Sequence, residues 1–516
     1  MNSPLVSSSQ KCVKHSHLII LFLSSLLLLL SFEPLVYSVK RSAADGHAYA
    51  FMAKQFIADP SAFFSYAPPP AHAYGPEVLI CMAFYLLFPH LAAWQVIGLA
   101  NVTMTLLFVW LLAFIFPKAI AGARTTEAKP RIASWQLRTA TANLLLAFLN
   151  YSSHSAESFF GLDGTNAQIG SYATTLVLIS LFFGKYGGKT KLAMIIFSVI
   201  GTMSSKLVLA SAIAPLMALI VRDSFQNRTL SPHNKRQAGL LALLFFVALI
   251  PNLILGDMEA LQRTRLSISN IYPTLELWQQ FLMAQWRTMD PMKCIYVAML
   301  IALLAILWQN RRHPIVFVTI AALLACFAAS LVAGTFRGWN LRYLGGGLFL
   351  AAGFWIATQS ALSYRLTLAI ATITIFLGLN NDYDFAYPQS REQSLAACLA
   401  PLVANERLTR GLAGHWDSEP INNILDQRLL IKARLSNTRP EPYAWMVDTR
   451  YNNFHQNIDF ALENKANRHY HFSSANLRAL PGHKGTLSCA DSDTTIHLYD
   501  AKTFSNYLRG ESATKE

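Results

Sequence analysis

One carboxylate stands where group-transfer chemistry is possible. Asp45 lies in the segment RSAADGHAY (residues 41–49), which follows an apolar stretch that ends near residue 37. A carboxylate between an apolar boundary and water can accept the proton of an attacking hydroxyl group. The alternative is that Asp45 caps a helix over residues 46–55, because Asp is a favoured N-cap residue. The residues alone leave both interpretations open.

Other charged residues in short loops suit the binding of an anion. Lys206 lies between two apolar stretches, and Arg337 and Arg342 lie in TFRGWNLRY (residues 335–343). A lysine at membrane depth is costly unless it reaches the interface or meets an anion, and a guanidinium fork suits a phosphate. A lipid headgroup for Lys206 and interfacial anchoring for the arginines are the alternatives.

Two further polar groups fall in one loop, residues 152–168. Asp163 precedes an apolar stretch, where it is either a site residue or an N-cap. His154 and Glu157 are three residues apart, a spacing that two metal ligands can have. Because no cysteine or second histidine lies nearby, we predict no metal-binding residues.

The elements that position these residues are membrane helices. The chain has 516 residues, 53% of them apolar and 14% charged, with a mean hydropathy of +0.33, which excludes an ordinary soluble enzyme. Apolar runs near 20 residues, the length that spans a bilayer, recur from residue 18 to 379. We predict an α-helical polytopic domain over residues 1–380 with about eleven spans: 17–37, 94–116, 136–151, 169–184, 190–204, 206–221, 238–255, 293–310, 314–333, 343–360 and 363–380.

The charge distribution predicts the orientation. The net charge is +15 over residues 1–380 and −1 over residues 381–516. The excess lies in short loops such as 185–191 and 222–236, which the positive-inside rule places in the cytoplasm. We therefore predict a cytoplasmic N-terminus that is a retained helix rather than a signal peptide, an outer C-terminus, a helix at 78–91 lying along the outer face, and no binding of nucleic acid.

Residues 381–516 are less apolar, and we predict that they form a soluble outer domain of α+β type. Alternating stretches predict strands at 429–435 and 494–499, and helical spacing covers 392–404. Cys398 and Cys489 are the two cysteines of this tail, and in an oxidising compartment they are candidates for a disulfide. Trp416 and Trp445 are more typical of packing than of sugar stacking.

The order of four segments resembles the GT-C superfamily of integral-membrane glycosyltransferases. They are D-G-x-x-Y-x-x-x-A at 45–53 after a first membrane helix, then 204–215, 337–343 and the tail stretch 411–445. The resemblance implies a catalytic first outer loop (about 38–92) with Asp45 as general base. It also implies that six residues bind the substrates: His47, Tyr49, Asp163, Lys206, Arg337 and Arg342. Of these, Lys206 and the two arginines would hold the lipid phosphate. Many members carry a second acidic residue in this loop, whereas here the neighbours are His47 and the more distant Asp59.

The activity implied by this resemblance is inverting transfer of a sugar from a polyprenyl-phosphate donor to an acceptor glycan, lipid or protein. The setting would be the outer face of a bacterial inner membrane, with membrane lipids as partners and the tail in the periplasm. A divalent cation such as Mg²⁺ or Mn²⁺ could assist. The alternatives are a transporter or flippase of lipid-linked sugars, which paired halves with interrupted helices would favour, and an O-antigen polymerase or ligase.

Overall fold

The computed structural model describes residues 5–33, 44–61, 76–123, 132–152, 169–205, 207–229, 231–255, 267–332, 344–358, 360–381, 391–405, 407–414, 418, 421–422, 424–425, 429–436, 439–442, 456–463, 474–489 and 494–509. The chain divides into two compact units. The first unit contains residues 1–35, 71–77 and 101–384, and the second contains residues 36–70, 78–100 and 385–516.

Helices occupy the apolar stretches of the sequence. They are α1 (Leu5–Leu30), α2 (Ala44–Ala58), α3 (Glu77–Leu87), α4 (Ala93–Trp110), α5 (Phe116–Gly122), α6 (Trp135–Ser152), α7 (Ile169–Phe183), α8 (Gly188–Ser204), α9 (Ala214–Asn227), α10 (Pro232–Leu255), α11 (Ile271–Arg287), α12 (Pro291–Gln309), α13 (Pro314–Val332), α14 (Gly345–Ala357) and α15 (Ala361–Leu379).

Five helical stretches in the described part of the chain have the length and hydropathy to cross a membrane. They are Ala93–Gly122, Leu209–Asn227, Pro291–Gln309, Pro314–Val332 and Ala361–Leu379. The chain is therefore an integral membrane protein, whereas the count of eleven spans stays a prediction. α3 has 11 residues and is about 16 Å long, too short for a hydrocarbon core of roughly 30 Å, which agrees with a helix that does not cross.

Two of these stretches contain a π-helical turn that ends two residues before a proline. The turns are Leu111–Ile115 and Leu209–Ile213, and the prolines, Pro117 and Pro215, are the second residues of α5 and α9. Proline has no N–H to donate, and its ring clashes with the carbonyl four residues earlier. The wider turn accommodates both effects, so the helix continues through the proline.

α6 is joined to α1 by side-chain hydrogen bonds. Asn143 Nδ2 donates to Ser25 Oγ at 3.0 Å, and two turns later Asn150 Nδ2 donates to Ser31 Oγ, also at 3.0 Å. Side-chain amides between apolar helices have no water to bond and must find partners within the protein. These contacts therefore fix the register of α1 against α6.

One end of the first unit, which we call the Ser152 end, collects alternate helix termini. At the end of α6, Ser152 Oγ accepts a hydrogen bond of 2.5 Å from the hydroxyl of Tyr296, in the second turn of α12. At the end of α13, the carbonyl of Val332 accepts from the backbone N–H of Ser267 and from the side chain of Asn270, both at 3.0 Å. The N-terminal end of α11 is thus fixed to the end of α13.

The opposite end collects the remaining termini. The backbone N–H of Ala133 donates to the carbonyl of Ala357 at 2.9 Å, which joins the start of α6 to the end of α14. The hydroxyl of Tyr186 donates to the carbonyl of Ile115 at 2.9 Å, next to the end of α7. From α6 to α15, successive helices therefore run in alternating directions between the two ends, except α11, which begins and ends at the Ser152 end.

The tail combines a mixed sheet with helices. Its strands are β1 (Gly411–Ala413), β2 (Leu430–Ser436), β3 (Arg439–Pro442), β4 (Phe460–Leu462), β5 (His483–Cys489) and β6 (Thr494–Tyr499), in the order β3-β2-β1-β4-β6-β5. The predicted strands at 429–435 and 494–499 are confirmed. However, β1 pairs in parallel with both β2 and β4. β1 and β4, which lie in the centre of the sheet, have three residues each. Strands of that length are too short to be predicted from a sequence pattern.

Both faces of the sheet are covered. One cluster includes Leu395 and Leu399 of α16 (Arg391–Ala404) with Phe460 and Leu462 of β4. The other includes Ala461 with Phe504 of α18 (Ala501–Arg509) and Leu477 of a short helix α17 (Ser474–Arg478). Neighbouring residues of β4 face opposite clusters, so helices lie on both sides of the sheet. This layering is typical of sheets with parallel strands.

A disulfide joins Cys398 of α16 to Cys489 at the end of β5, across 91 residues of chain. We expect the double replacement Cys398→Ala and Cys489→Ala to cost the tail about 2–4 kcal/mol, because the cross-link restricts the unfolded chain. Limited proteolysis of the intact protein should then cleave the tail at least about 30-fold faster. Cys294→Ala, which removes an exposed free cysteine, is the control. Equal cleavage rates in all three proteins would contradict the expectation.

Candidate functional site

Glu77 makes a long-range contact at the start of α7. Its Oε1 accepts a hydrogen bond of 2.7 Å from the backbone N–H of Gly170, the second residue of α7. The first N–H groups of a helix have no partner within the helix, and the positive end of the helix dipole favours a carboxylate. Glu77 therefore caps a helix that lies 93 residues away in the sequence.

Gly170 leaves the space that this contact needs. A Cβ atom added at Gly170 would lie 2.7 Å from both carboxylate oxygens of Glu77 and nearer still to the ring of Pro76. No side chain therefore fits between α7 and the segment that carries Glu77. The glycine is required for the close approach of the carboxylate rather than for a special backbone conformation.

The Glu77 carboxyl has an altered acidity. Burial raises its pKa to about 7 from an ordinary value of 4.5, even though its own backbone N–H and that of Gly170 favour the ionised form. Glu77 begins α3, outside the helical stretches long enough to cross a membrane. A carboxyl group with a pKa near neutrality can both hold and release a proton at physiological pH.

A second carboxylate lies at the end of α1. Glu33 is buried, at 8% exposure, and its Oε2 accepts a hydrogen bond of 3.3 Å from the side-chain amide of Asn381, which follows α15. Since α1 ends beside α6 through the Ser31–Asn150 contact, Glu33 belongs to the Ser152 end. The contact ties the end of the last helix of this unit to the first.

Small and hydroxyl side chains pack four helical segments closely beneath this end. Thr175 of α7 and Ser211 of the second π-turn have their hydroxyl oxygens 2.5 Å apart. A Cβ at Gly346 of α14 would lie 2.7 Å from Ser211, and a Cβ at Gly201 of α8 would overlap Thr174. Glycine and hydroxyl residues let helices approach closely in membranes, so α7, α8, α14 and the π-turn form one closely packed layer.

The predicted residues of the first outer loop fall in α2. By its backbone, Asp45 lies in the first turn of the helix Ala44–Ala58, followed by His47; the side chains of both lie outside the described residues. Tyr49 is buried, at 3% exposure, beside Met52 and Ala53, which are fully buried. The interpretation of Asp45 as a cap before the helix and its interpretation as a base both stay predictions.

The other predicted residues, Asp163, Lys206, Arg337 and Arg342, lie outside the described residues, as do His154 and Glu157. Their flanking positions are described. Residues 153–168 connect the end of α6 to the start of α7, residue 206 follows the end of α8, and residues 333–343 connect the end of α13 to the start of α14. All of these helix termini belong to the Ser152 end, so the structure brings together the flanks of the predicted site.

Glu33 and Glu77 are the carboxylates that our reading of the sequence did not select. Each has a signal that could have found it: Glu33 interrupts an apolar stretch, and Glu77 directly precedes one. Acidic residues are rare in such positions and are often functional. In the described part of the chain, no group of three or more His, Cys, Asp and Glu side chains is arranged to hold a metal ion, so the assisting divalent cation stays a prediction.

Comparison with known proteins identifies the fold. No protein-family model matches the sequence, and no curated protein matches it either. Among solved structures, the chain is similar to ArnT from Cupriavidus metallidurans in the apo state, with a TM-score of 0.51 and 12% identity over 95% of this chain and 99% of that chain. ArnT from the same organism bound to undecaprenyl phosphate aligns over 92% of this chain and 97% of that chain, with 13% identity and a TM-score of 0.44.

The likeness to apo ArnT shows that the chain has an ArnT-like membrane fold over nearly its whole length. At 12% identity, this likeness shows the fold alone.

The raised pKa of Glu77 makes the stability of the protein depend on pH. Between pH 4.5 and 7 the folded chain holds a proton that the unfolded chain has released, so this contribution is present below pH 4.5 and is lost as the pH rises through 7. The loss is at most about 3 kcal/mol. Glu77→Gln keeps an acceptor for Gly170 but does not titrate.

The measurement is the apparent unfolding temperature of wild type and Glu77→Gln in detergent from pH 4.5 to 8. We expect wild type to lose stability relative to Glu77→Gln as the pH rises. Glu276→Gln, which changes an exposed carboxylate of α11, is the control and should follow wild type. Parallel curves for wild type and Glu77→Gln would show that Glu77 has an ordinary pKa.

Proposed function

We propose that this protein, with its ArnT-like fold, is a glycosyltransferase that moves a sugar from a polyprenyl-phosphate-linked donor to an acceptor at one face of the membrane. The observation that carries the proposal is the gathering of helix termini at the Ser152 end. The termini that flank Asp163, Lys206, Arg337 and Arg342 belong to this one end, as do Glu33 and Glu77. A fold alone does not define a reaction, but an acidic and basic set at one membrane face suits transfer from a lipid phosphate.

The proposed reaction is a direct displacement. The carboxylate of Asp45 takes the proton of the acceptor hydroxyl while the hydroxyl oxygen bonds to the anomeric carbon. The bond between that carbon and the phosphate oxygen breaks at the same time, so the configuration inverts. The bonding electrons leave with the lipid phosphate, whose negative charge is stabilised by Lys206 and Arg342.

The other predicted site residues take positioning roles in this proposal. Arg337 joins Arg342 in holding the phosphate, and His47 and Asp163 contact the sugar or the acceptor. Tyr49 is buried, so we assign it to fixing α2, the helix that carries Asp45. Glu77 fixes the start of α7, which directly follows the segment containing Asp163.

The proposed setting is a bacterial inner membrane with the Ser152 end facing the periplasm. The basic loops at 185–191 and 222–236 leave from the opposite end, where the positive-inside rule places the cytoplasm. The acceptor would be an envelope glycan, lipid or protein. Undecaprenyl phosphate, the lipid named with ArnT, is the carrier to try first.

Replacement of Asp45 tests the general base. We expect Asp45→Asn to lower the transfer rate by about 10²- to 10⁴-fold, the range that a positioned general base contributes, while the donor still binds. The measurement is the transfer of radiolabelled sugar from undecaprenyl-phosphate-linked hexose and pentose donors in membranes with equal amounts of folded protein.

Asp59→Asn is the matched control. Asp59 follows the same helix, and its Oδ1 accepts hydrogen bonds from the backbone N–H of Ser61 at 3.0 Å and its hydroxyl at 2.6 Å. Asparagine keeps that acceptor, so Asp59→Asn should transfer sugar at the wild-type rate. If Asp45→Asn is equally active, Asp45 is not the base, and the mechanism is wrong. Movement of intact donor across the membrane without transfer would instead identify a flippase.

A further inference from the structure

Three ionisable side chains meet on the sheet of the tail. His497 of β6 is fully buried, Glu463 directly follows β4 and is 6% exposed, and His483 of β5 is partly exposed. Their strands are neighbours in the order β4-β6-β5. Buried ionisable groups on an otherwise apolar sheet face are costly and call for a physical reason.

The carboxylate selects the form of the central imidazole. Oε2 of Glu463 lies 3.5 Å from Nε2 of His497. A carboxylate at this nitrogen favours the tautomer in which Nε2 carries the proton, which leaves the lone pair on Nδ1. The neutral imidazole is the form that binds metal ions.

The second imidazole lies close to Nδ1 of His497. Nδ1 of His497 lies 3.3 Å from Nε2 of His483. Two histidine nitrogens bound to one tetrahedral zinc ion at about 2.0–2.1 Å are separated by roughly 3.3 Å. The ring of Tyr499 packs against His483, with centroids 5.6 Å apart, and supports its orientation.

An irregularity in β5 brings His483 to this face. His483 pairs with Tyr499, but Gly485 pairs with Leu498, so Lys484 is an extra residue in the strand. In a regular strand Lys484 would pair with Tyr499 and share the face of His497. Bulges of this kind are frequent next to functional sites, where they redirect a side chain.

We propose that His483 and His497 bind a divalent transition-metal ion of the zinc type, with Glu463 orienting His497 through its second nitrogen. Imidazole ligands suit zinc, copper and nickel, and a carboxylate behind a ligating histidine is a common feature of such sites. No group of three or more ligand side chains is present among the described residues. Among the described residues, the site therefore has two protein ligands, and water or another ligand fills the other positions.

The test is zinc binding by the full chain, purified in detergent without a polyhistidine tag and stripped with a chelator. Zn²⁺ is titrated against a chromophoric competitor. Wild type should bind one more zinc ion than His483→Ala, in which a partly exposed side chain is removed. Glu463→Gln should keep that ion with an affinity lowered about 10- to 100-fold, the usual effect of losing such a partner.

His90→Ala is the control for surface histidines, because His90 is exposed; it should keep the ion with wild-type affinity. Protease resistance of the tail shows that each variant is folded. Equal zinc stoichiometry and affinity in wild type and His483→Ala would overturn the proposal. Unchanged affinity in Glu463→Gln would overturn the role of the carboxylate.

Discussion

Polar groups buried between apolar helices can be satisfied only by other groups of the protein, because hydrocarbon offers them no partner. This constraint makes α6 the centre of the first unit. Asn143 and Asn150 of α6 bond to α1, the carbonyl of Leu144 accepts from Thr374 of α15 at 3.4 Å, and Ser152 accepts from α12. These contacts fix the helix termini at the Ser152 end, and the segments that carry the proposed site begin at these termini.

The same requirement acts on the helix ends. At the start of α7, the backbone N–H of Gly170 donates to Glu77, the first residue of α3, so the starts of two helices share one hydrogen bond. The burial that this contact requires also raises the pKa of the carboxyl. A structural cap and a proton-exchanging group are therefore compatible in one side chain. Glu77 caps the helix that follows the segment with Asp163 in the chain, which connects it to the proposed reaction.

Much of the architecture follows from composition. Apolar stretches locate most of the helices, because a membrane helix must cover the thickness of the hydrocarbon, whereas α1 begins before its predicted span and α11 was not predicted. A short alternating stretch locates β6, although the clusters on both faces of the sheet cover it. The contacts of Glu77 with Gly170 and of His483 with His497 could not be predicted, since each joins residues that only the fold brings together. β1 and β4 were not predicted, because a strand of three residues is too short to show an alternating pattern. The acidic and basic residues selected from the sequence remain predictions, as their side chains lie outside the described residues.

The fate of the carrier lipid tests the proposed sugar transfer most directly. Purified protein in liposomes would receive an undecaprenyl-phosphate-linked sugar and a membrane extract as the source of acceptor, and mass spectrometry would count free undecaprenyl phosphate and glycosylated product. We expect one carrier phosphate to be released for each sugar attached, because the bond to phosphate breaks as the new glycosidic bond forms. Intact donor on both sides of the bilayer, with no carrier released, would contradict it.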